Sequence, residues 1–414
     1  MKFAFYTLGC KLNFAESSSL SRELISSGAT RAALGEQADV CVVNTCSVTD
    51  AADRKGRQLI HRVRRENKNA ILIVTGCYAA LKRNEISSMP EVDYVLGMDD
   101  KFSLPSFVHQ LSVGGSLGST TRSQTEGLFH GAVSYDDRTR CFVKVQDGCD
   151  YFCTYCTIPF ARGRSRNDSI ENTVVTINQA LQAGAKEIVL TGVNIGDFGK
   201  TTNEKFIDLL RAIDALNGDF RVRISSCEPN LLSDEIIDFV ASSNHFAPHF
   251  HIPLQSGSDE MLRIMHRRYD TALFRERVEH IKRVIPQAFI GVDCMVGVRG
   301  EKEEYFENYL HFVESLPVSE LHVFTYSERE RTRMVSMDLS SVPSKERKRR
   351  SEVLHLLSER KLKEFYDSQR GRKAIVLWES KREGNMMSGF TENYIRVSCP
   401  YQKEKINTFE QITI

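Results

Sequence analysis

The sequence predicts an α/β protein in three parts: an N-terminal doubly wound parallel sheet, a central run of six strands separated by helices, and a small C-terminal β-barrel. Three observations predict it. Short apolar runs alternate with helix-length amphipathic stretches through most of the chain; a Gly/Ser/Thr-rich stretch, Ser112–Thr125, interrupts that alternation; and the last roughly forty residues switch to the two-residue period of antiparallel strands. At 414 residues, 41% hydrophobic and 26% charged, the chain has the composition of a water-soluble globular protein and is long for a single core. No apolar run approaches the roughly 20 residues needed to cross a bilayer. The segment Met1–Tyr6 reads as a short strand running into polar sequence, not as a signal peptide, so a cytoplasmic location without membrane association is expected.

In the first part, Lys2–Thr7, Val40–Asn44, Ile71–Thr75 and Val92–Leu96 read as buried strands, with helices over Asn13–Ser27 and Thr49–Glu66. Strand–helix alternation of this kind builds a parallel sheet covered on both faces. In the second part the strand candidates are Arg140–Val145, Glu187–Thr191, Arg221–Ser225, His249–Pro253, Phe289–Val296 and Glu320–Phe324. Six strands with helix-length connections suit a full or partial parallel barrel, and periodicity does not separate that from an open sheet. A basic helix follows over about Ser344–Arg370, its apolar stripe formed by Leu354, Leu357, Leu362 and Phe365. Finally, Lys373–Trp378 and Asn393–Val397 flank the turn-rich Gly384–Gly389, a small β-barrel of the kind used to hold RNA. From Pro343 onward there are 16 Lys/Arg against 10 Asp/Glu, a basic tail on a slightly acidic body although the whole chain carries only +1. That asymmetry suits a nucleic-acid contact, and equally a solvated charged helix.

The chain has 11 cysteines and no export signal, which points to metal or redox chemistry and away from disulfides. Cys149, Cys153 and Cys156 are spaced C-x3-C-x2-C just after a strand. Three neighbouring thiolates can hold three corners of a four-iron cube, whereas structural zinc wants a fourth ligand that no nearby His or Cys supplies. A second constellation is dispersed: Cys10, Cys46 and Cys77 each follow one of the first three strands of the N-terminal sheet. Loops at the carboxyl ends of parallel strands converge, so these thiols can meet. The alternative is three ordinary buried thiols, but three equivalent positions favour a shared site.

The C-x3-C-x2-C spacing with Tyr155 before its last cysteine resembles the signature of the radical S-adenosylmethionine superfamily. Together with the N-terminal triplet, it resembles the methylthiotransferase family of those enzymes along essentially the whole chain. Further motifs agree: Gln146–Cys149, Ala161–Arg166, Leu190–Gly196 and Pro253–Gly257. Arg223–Asn230 and Phe324–Arg329 look most like the branch acting on N6-threonylcarbamoyladenosine at tRNA position 37. One departure stands out: Gly297-Val298-Arg299-Gly300-Glu301-Lys302 replaces the family's usual Gly-Phe-Pro-Gly-Glu-Thr, which puts the loop geometry in question.

The resemblance implies a domain of residues 1–111 carrying an auxiliary [4Fe-4S] cluster on Cys10, Cys46 and Cys77, a linker at 112–134, a partial (β/α)6 radical core with its basic helix at 135–370, and a TRAM-like RNA-binding domain at 371–414. It implies a second [4Fe-4S] cluster on Cys149, Cys153 and Cys156 that cleaves S-adenosylmethionine, one molecule of which serves as methyl donor and another as radical source. Tyr155, Thr191, Gly192, Asn194, Glu228 and Gln255 are the candidate cofactor contacts. For several of them a structural role is as good a reading: Tyr155 as a water shield, Glu228 and Gln255 as satisfied hydrogen-bond partners. Arg372, Lys373 and Arg396 are candidates for RNA phosphates. Phe390 and Tyr394 read as barrel core or a stacking surface, and Cys41, Cys141 and Cys294 as core residues inside strands. His249 and His251 share one face of their strand. Expected partners are the tRNA anticodon loop and an electron donor such as a flavodoxin or ferredoxin, with the chain monomeric. Rival readings keep the chemistry on isopentenyladenosine or a ribosomal-protein aspartate, or make the chain a metal-stabilised RNA-binding protein without catalysis.

Overall fold

Residues 1–33, 35–112, 127–134 and 139–414 are described in the computed structural model. Most of the sequence assigned to the linker, residues 113–126, lies outside them. The N-terminal sheet has five parallel strands, β1 (Lys2–Thr7), β2 (Thr30–Arg31), β3 (Val40–Thr45), β4 (Ile71–Gly76) and β5 (Tyr94–Val95), in the order β2-β1-β3-β4-β5. Side chains alternate across β3: Val40 and Val42 pack with Leu20, Leu24 and Phe107 on one face, while Cys41 and Val43 pack with Leu59, Ile60 and Val63 on the other. Both faces are therefore buried, which is why these strands read as continuous apolar runs. The helix Asp50–Glu66 begins where the Thr49 side chain accepts a hydrogen bond from the Ala52 amide.

The central part realises all six expected strands. A short strand β6 (Ala132–Ser134) runs antiparallel to β7 (Arg140–Lys144), extending the central sheet into the stretch assigned to the linker. A two-residue pair, β8 (Gln146–Asp147) with β9 (Arg166–Asn167), brackets the cysteine-bearing segment. The parallel series then runs β7, β10 (Glu187–Thr191), β11 (Arg221–Ile224), β12 (His249–Gln255), β13 (Phe289–Val296) and β14 (Glu320–Thr325). Between β11 and β12 the ladder thins to two parallel bridges, Val222 with Phe246 and Ser226 with His251. The result is a partial barrel. Val143, Ile188, Leu190, Val222, Ile224, Ile252, Val292 and Leu321 face outward into the helical cover. The alternate positions (Glu187, Arg221, Arg223, His249, His251, Asp293 and His322 among them) fall on the inner face, so the lumen is polar.

The helix Ser344–Ser368 lays Leu354 and Leu357 on the barrel core and carries the chain to β15 (Lys373–Glu383), β16 (Met386–Thr391), β17 (Arg396–Pro400) and β18 (Phe409–Thr413). These form an antiparallel sheet in the order β17-β16-β15-β18, and a register shift between Trp378 and Arg382 bends β15 into a curled half-barrel of the expected TRAM-like kind. Its underside rests on the first residues of the barrel strands. Arg221 donates to the Ile375 and Phe390 carbonyls, Arg223 to the Glu392 carbonyl and Arg140 to the Tyr394 hydroxyl.

Candidate active site

The structure brings Cys10, Cys46 and Cys77 together at the carboxyl ends of the adjacent strands β1, β3 and β4. Cys10 and Cys77 enter the electrostatic surroundings of Cys46, and Cys10 those of Cys77; burial pushes Cys46 up to about 11 and raises Cys77. Two glycines permit the approach. Gly9 sits at φ +108°, where a Cβ would meet the Cys46 Cβ at 2.7 Å, and Gly76 at φ +96°, where it would meet the Thr45 carbonyl at 2.3 Å. Asn13 binds the loops together, its Nδ2 donating to the Leu8 and Thr45 carbonyls at 2.8 and 3.0 Å.

Cys149, Cys153 and Cys156 lie on a loop closed at its base by β8 and β9, where Gly148 leaves no room for a side chain because a Cβ would sit 1.9 Å from the Arg164 carbonyl. Each sulfur receives a hydrogen bond: from the Tyr151 amide to Cys149 at 3.4 Å, from the Ile158 amide to Cys156 at 3.5 Å, and from Arg267 Nη1 to Cys153 at 3.2 Å. Burial pushes Cys149 and Cys156 up to about 12. It raises Cys153 as well, against the pull of Arg267. Among the described residues no three His, Cys, Asp or Glu side chains close in around a single point.

Arg267, which the sequence reading missed, organises this region. It pairs with Glu228, reaches the Tyr155 hydroxyl at 3.3 Å and donates through Nε to Tyr269 at 3.0 Å. Glu228 is thus a partner of Arg267, and Tyr155 packs at the edge of a cluster formed by Met261, Met265, Val298, Tyr326 and Met334. Gln146 is a second connector: its Oε1 accepts from the Val193 and Asn194 amides at 2.9 and 2.8 Å and its Nε2 donates to the Gly148 carbonyl at 2.8 Å, tying the cysteine loop to the Gly192 turn. A side chain at Gly192 would meet Gln146 Oε1 at 2.9 Å. The Thr191 hydroxyl donates to its own strand, at Val189. By contrast, Asn194 Oδ1, the Ser225 hydroxyl and Gln255 Oε1 are buried without a hydrogen-bond partner, at the ends of three successive strands. Gln255 also holds φ +65°, an uncommon conformation for a non-glycine residue. Buried polar atoms of this kind need a partner, and here a ligand's polar groups fit.

A buried ion network joins the two cysteine loops. Glu16 on the helix Lys11–Ser26 accepts from Lys101, from Lys144 at 2.9 Å and from Arg162 at 3.0 Å; Asp147 accepts from Lys144 at 2.8 Å, Arg162 at 3.0 Å and Arg166 at 3.1 Å. Apart from Arg166, these side chains are at most 1% exposed. Arg162 also reaches Asn13 Oδ1 at 2.7 Å, and the short helix after Cys77 packs against Ala161. On the other rim of the barrel, Arg329 grips Asp50, Asp53 and the Ser47 hydroxyl beside Cys46, at 2.7, 2.9 and 2.6 Å. The N-terminal domain therefore sits across the barrel mouth, with both cysteine triplets at the junction.

The departing loop keeps its turn. Gly297 and Gly300 hold φ +75° and +81°, Glu301 accepts the Gly297 amide at 3.0 Å, Val298 fills the methionine cluster and Arg299 makes a two-point pair with Glu328. In the C-terminal sheet Lys373 is exposed, while Arg372 pairs with Glu392 and Arg396 with Glu383. Phe390 and Tyr394 stack on each other under Arg140 and face the barrel, so they are interface core. Cys41, Cys141 and Cys294 are fully buried core residues.

Residues 2–97 match a family model described only as the uncharacterized protein family UPF0004, and residues 143–313 match the radical SAM superfamily. The threonylcarbamoyladenosine tRNA methylthiotransferase MtaB of Bacillus subtilis is 35% identical over 99% of this chain and 93% of its own length, and that of Aquifex aeolicus 34% over 98% of each. The tRNA-2-methylthio-N(6)-dimethylallyladenosine synthase of Desulfitobacterium hafniense is 29% identical over 98% of this chain and 93% of its own. Among solved structures, the radical S-adenosylmethionine methyltransferase TsrM of Kitasatospora setae superposes with a TM-score of 0.58 at 13% identity, covering 78% of this chain and 72% of that one, a likeness of fold. With sequence similarity running the length of the chain through both cysteine triplets, this protein belongs to the radical S-adenosylmethionine tRNA methylthiotransferase family and is an enzyme of tRNA modification.

Proposed function

We propose that this enzyme adds a methylthio group to C2 of N6-threonylcarbamoyladenosine at tRNA position 37, with one [4Fe-4S] cluster on Cys149, Cys153 and Cys156 and another on Cys10, Cys46 and Cys77. The observation that carries the reading is the joining of two three-thiol loops, one from each domain, through one buried ion network. The donor sets fit such clusters: three thiols each, with N–H groups already directed at the sulfurs of Cys149, Cys153 and Cys156, an arrangement that tunes iron–sulfur centres. Because burial raises the thiols of Cys46, Cys77, Cys149, Cys153 and Cys156, loading iron there must release protons, and cluster assembly should favour alkaline pH. When bound, the cofactors supply the radical chemistry that an unactivated aromatic carbon requires. The chain's own residues do the positioning. Arg267 orients Cys153 and Tyr155; Asn194, Ser225 and Gln255 offer polar contacts to S-adenosylmethionine; and the methionine cluster screens the loop from water.

Relatives named for threonylcarbamoyladenosine share 30–35% of residues and those named for dimethylallyladenosine 29–32%, which supports the first substrate alongside the Arg223–Asn230 and Phe324–Arg329 motifs. Arg372, Lys373 and Arg396 are proposed phosphate contacts, of which Lys373 is the unpaired one. An electron donor such as a flavodoxin or ferredoxin and a monomeric enzyme complete the reading. Anaerobic reconstitution tests it. Iron and sulfide for two four-iron clusters, with 5′-deoxyadenosine released on reduction, are expected, and iron for one cluster or zinc alone would refute the two-cluster assignment.

A further inference from the structure

One aromatic ring on the inner face of the barrel is left open. In β14, Leu321 and Val323 pack outward on the helical cover, so Glu320, His322 and Phe324 face the lumen. Phe324 is 46% exposed, an apolar ring in a lumen lined mainly by polar side chains. Its place is fixed from the side of each cysteine triplet. Toward Cys149, Cys153 and Cys156, its register partner in β13 is Met295, which packs against the methionine cluster beside Tyr155. Toward Cys46, the chain three residues beyond Phe324 is pinned to the loop that follows that cysteine. The Ser327 hydroxyl donates to Asp50 at 2.9 Å and accepts the Asp50 amide at 3.1 Å, and Arg329 reaches the Ser47 hydroxyl at 2.6 Å. β14 is also the last strand of the barrel, paired among the described residues with β13 alone, so the lumen opens beside it. One step deeper on the same face, Asp293 and His322 stand side by side in register. Asp293 accepts from His251 Nε2 through Oδ1 at 2.9 Å, leaving Oδ2 without a partner among the described residues. The His251 and Asp293 side chains keep 22% and 18% exposure, so this wall can be reached by a ligand. Gly291 follows below, where a Cβ would come within 3.1 Å of His322 Nε2.

We propose that Phe324 and Asp293 form the subsite for the target adenine, with the base stacked on the Phe324 ring and its N6–H donated to Asp293 Oδ2. A base taken out of its stack is held by aromatic faces and by hydrogen bonds to its edge. Adenine presents N6–H as a donor on the edge that lies across the ring from C2. Holding that edge down in the lumen turns C2 up toward the mouth, where both triplets sit. An adenine with one substituent on N6 still carries one N6–H, so the subsite serves the ring whatever that substituent is. S-adenosylmethionine brings an adenine too, but the unpartnered atoms that fit it, on Asn194, Ser225 and Gln255, stand at the ends of β10, β11 and β12, on the far side of β13.

The inference rests on the proposed reaction at adenine C2 but not on which group N6 carries, and its test keeps the two apart. Equilibrium binding to the full-length reconstituted enzyme is measured by fluorescence anisotropy for anticodon stem-loop RNAs. Position 37 carries threonylcarbamoyladenosine, dimethylallyladenosine, N6-methyladenosine, N6,N6-dimethyladenosine or an abasic site. The wild type is expected to bind its preferred base-bearing RNA at least about fivefold more tightly than the abasic one, as stacking of one base provides. Phe324→Ala should bring those two RNAs within about twofold of each other, while Phe324→Trp keeps the preference. The wild type should also favour N6-methyladenosine over N6,N6-dimethyladenosine, which has no N6–H, by roughly tenfold, and Asp293→Ala should remove that difference. S-adenosylmethionine affinity should be the same in all these proteins. Equal binding of either pair of RNAs by the wild type would overturn the subsite, and this arm needs no variant. Loss of S-adenosylmethionine binding in Phe324→Ala, restored in Phe324→Trp, would overturn it by assigning the ring to the cofactor. Methylthiolation of the dimethylallyl RNA alone would overturn the substrate reading and leave the subsite standing.

Discussion

At the scale of single residues, the cysteines were legible and their supports were not. Cys149, Cys153 and Cys156 announce themselves by spacing, and Cys10, Cys46 and Cys77 by recurring at strand ends. Arg267 had no such signal, because an arginine outside any motif looks like surface charge until the fold buries it against Cys153 and Glu228. Its burial makes a sharp prediction. Arg267→Met leaves the Glu228 carboxylate enclosed without a counter-charge, and breaking a buried pair in this way costs about 3–5 kcal/mol. Adding Glu228→Gln should recover much of that loss. Urea denaturation of the cluster-free single and double variants measures the coupling, and strictly additive losses would refute it. Thr191 reads as a cofactor contact from its place at a strand end; its hydroxyl donates to the Val189 carbonyl and its oxygen remains able to accept.

At the scale of elements, all six barrel strands were readable because their outward faces supply apolar residues at alternate positions, as in Ile188 and Leu190 or Val292 and Cys294. The two-residue strands β8 and β9 were not readable, since they are held by contacts around Gln146 and Asp147 and not by apolar burial. The ion network between the domains was invisible for the same reason: Glu16, Lys101, Lys144 and Arg162 come from four separate elements. It contains more cations than carboxylates, so the carboxylates are the critical members. Glu16→Gln should destabilise the apoprotein by about 3–5 kcal/mol and Lys101→Met by less, with equal losses contradicting this account. A second element-scale prediction concerns the floor of the barrel. Burial alone would raise Glu187, but Arg221 and Arg223 overcome it and hold the carboxyl down at about 2, against 4.5 for an unperturbed glutamate. A carboxyl lowered in the folded state stabilises the fold fully above pH 4.5 and loses that contribution as pH falls toward 2. Thermal denaturation should therefore show a decline over that window that is blunted in Glu187→Gln.

At the scale of the whole molecule, the N-terminal sheet closes the mouth of an incomplete barrel through Glu16 on one rim and Arg329 on the other, while the C-terminal sheet rests on the floor through Arg140, Arg221 and Arg223. Three domains thus surround one polar lumen. The charge asymmetry foresaw less than it suggested, because the basic helix spends much of its charge within the fold: Arg350 on Glu301 and Glu303, Arg349 on Glu303 and Glu346, Arg360 on Glu314. The central claim is that both thiol triplets act in one reaction. Its most direct test is nucleoside mass spectrometry of tRNA from a deletion strain complemented with the wild-type gene, with Cys149, Cys153 and Cys156 all changed to Ala, or with Cys10, Cys46 and Cys77 all changed to Ala. The account predicts 2-methylthio-N6-threonylcarbamoyladenosine with the wild type alone and unmodified N6-threonylcarbamoyladenosine with either variant; the methylthio nucleoside persisting when either triplet is gone would contradict it.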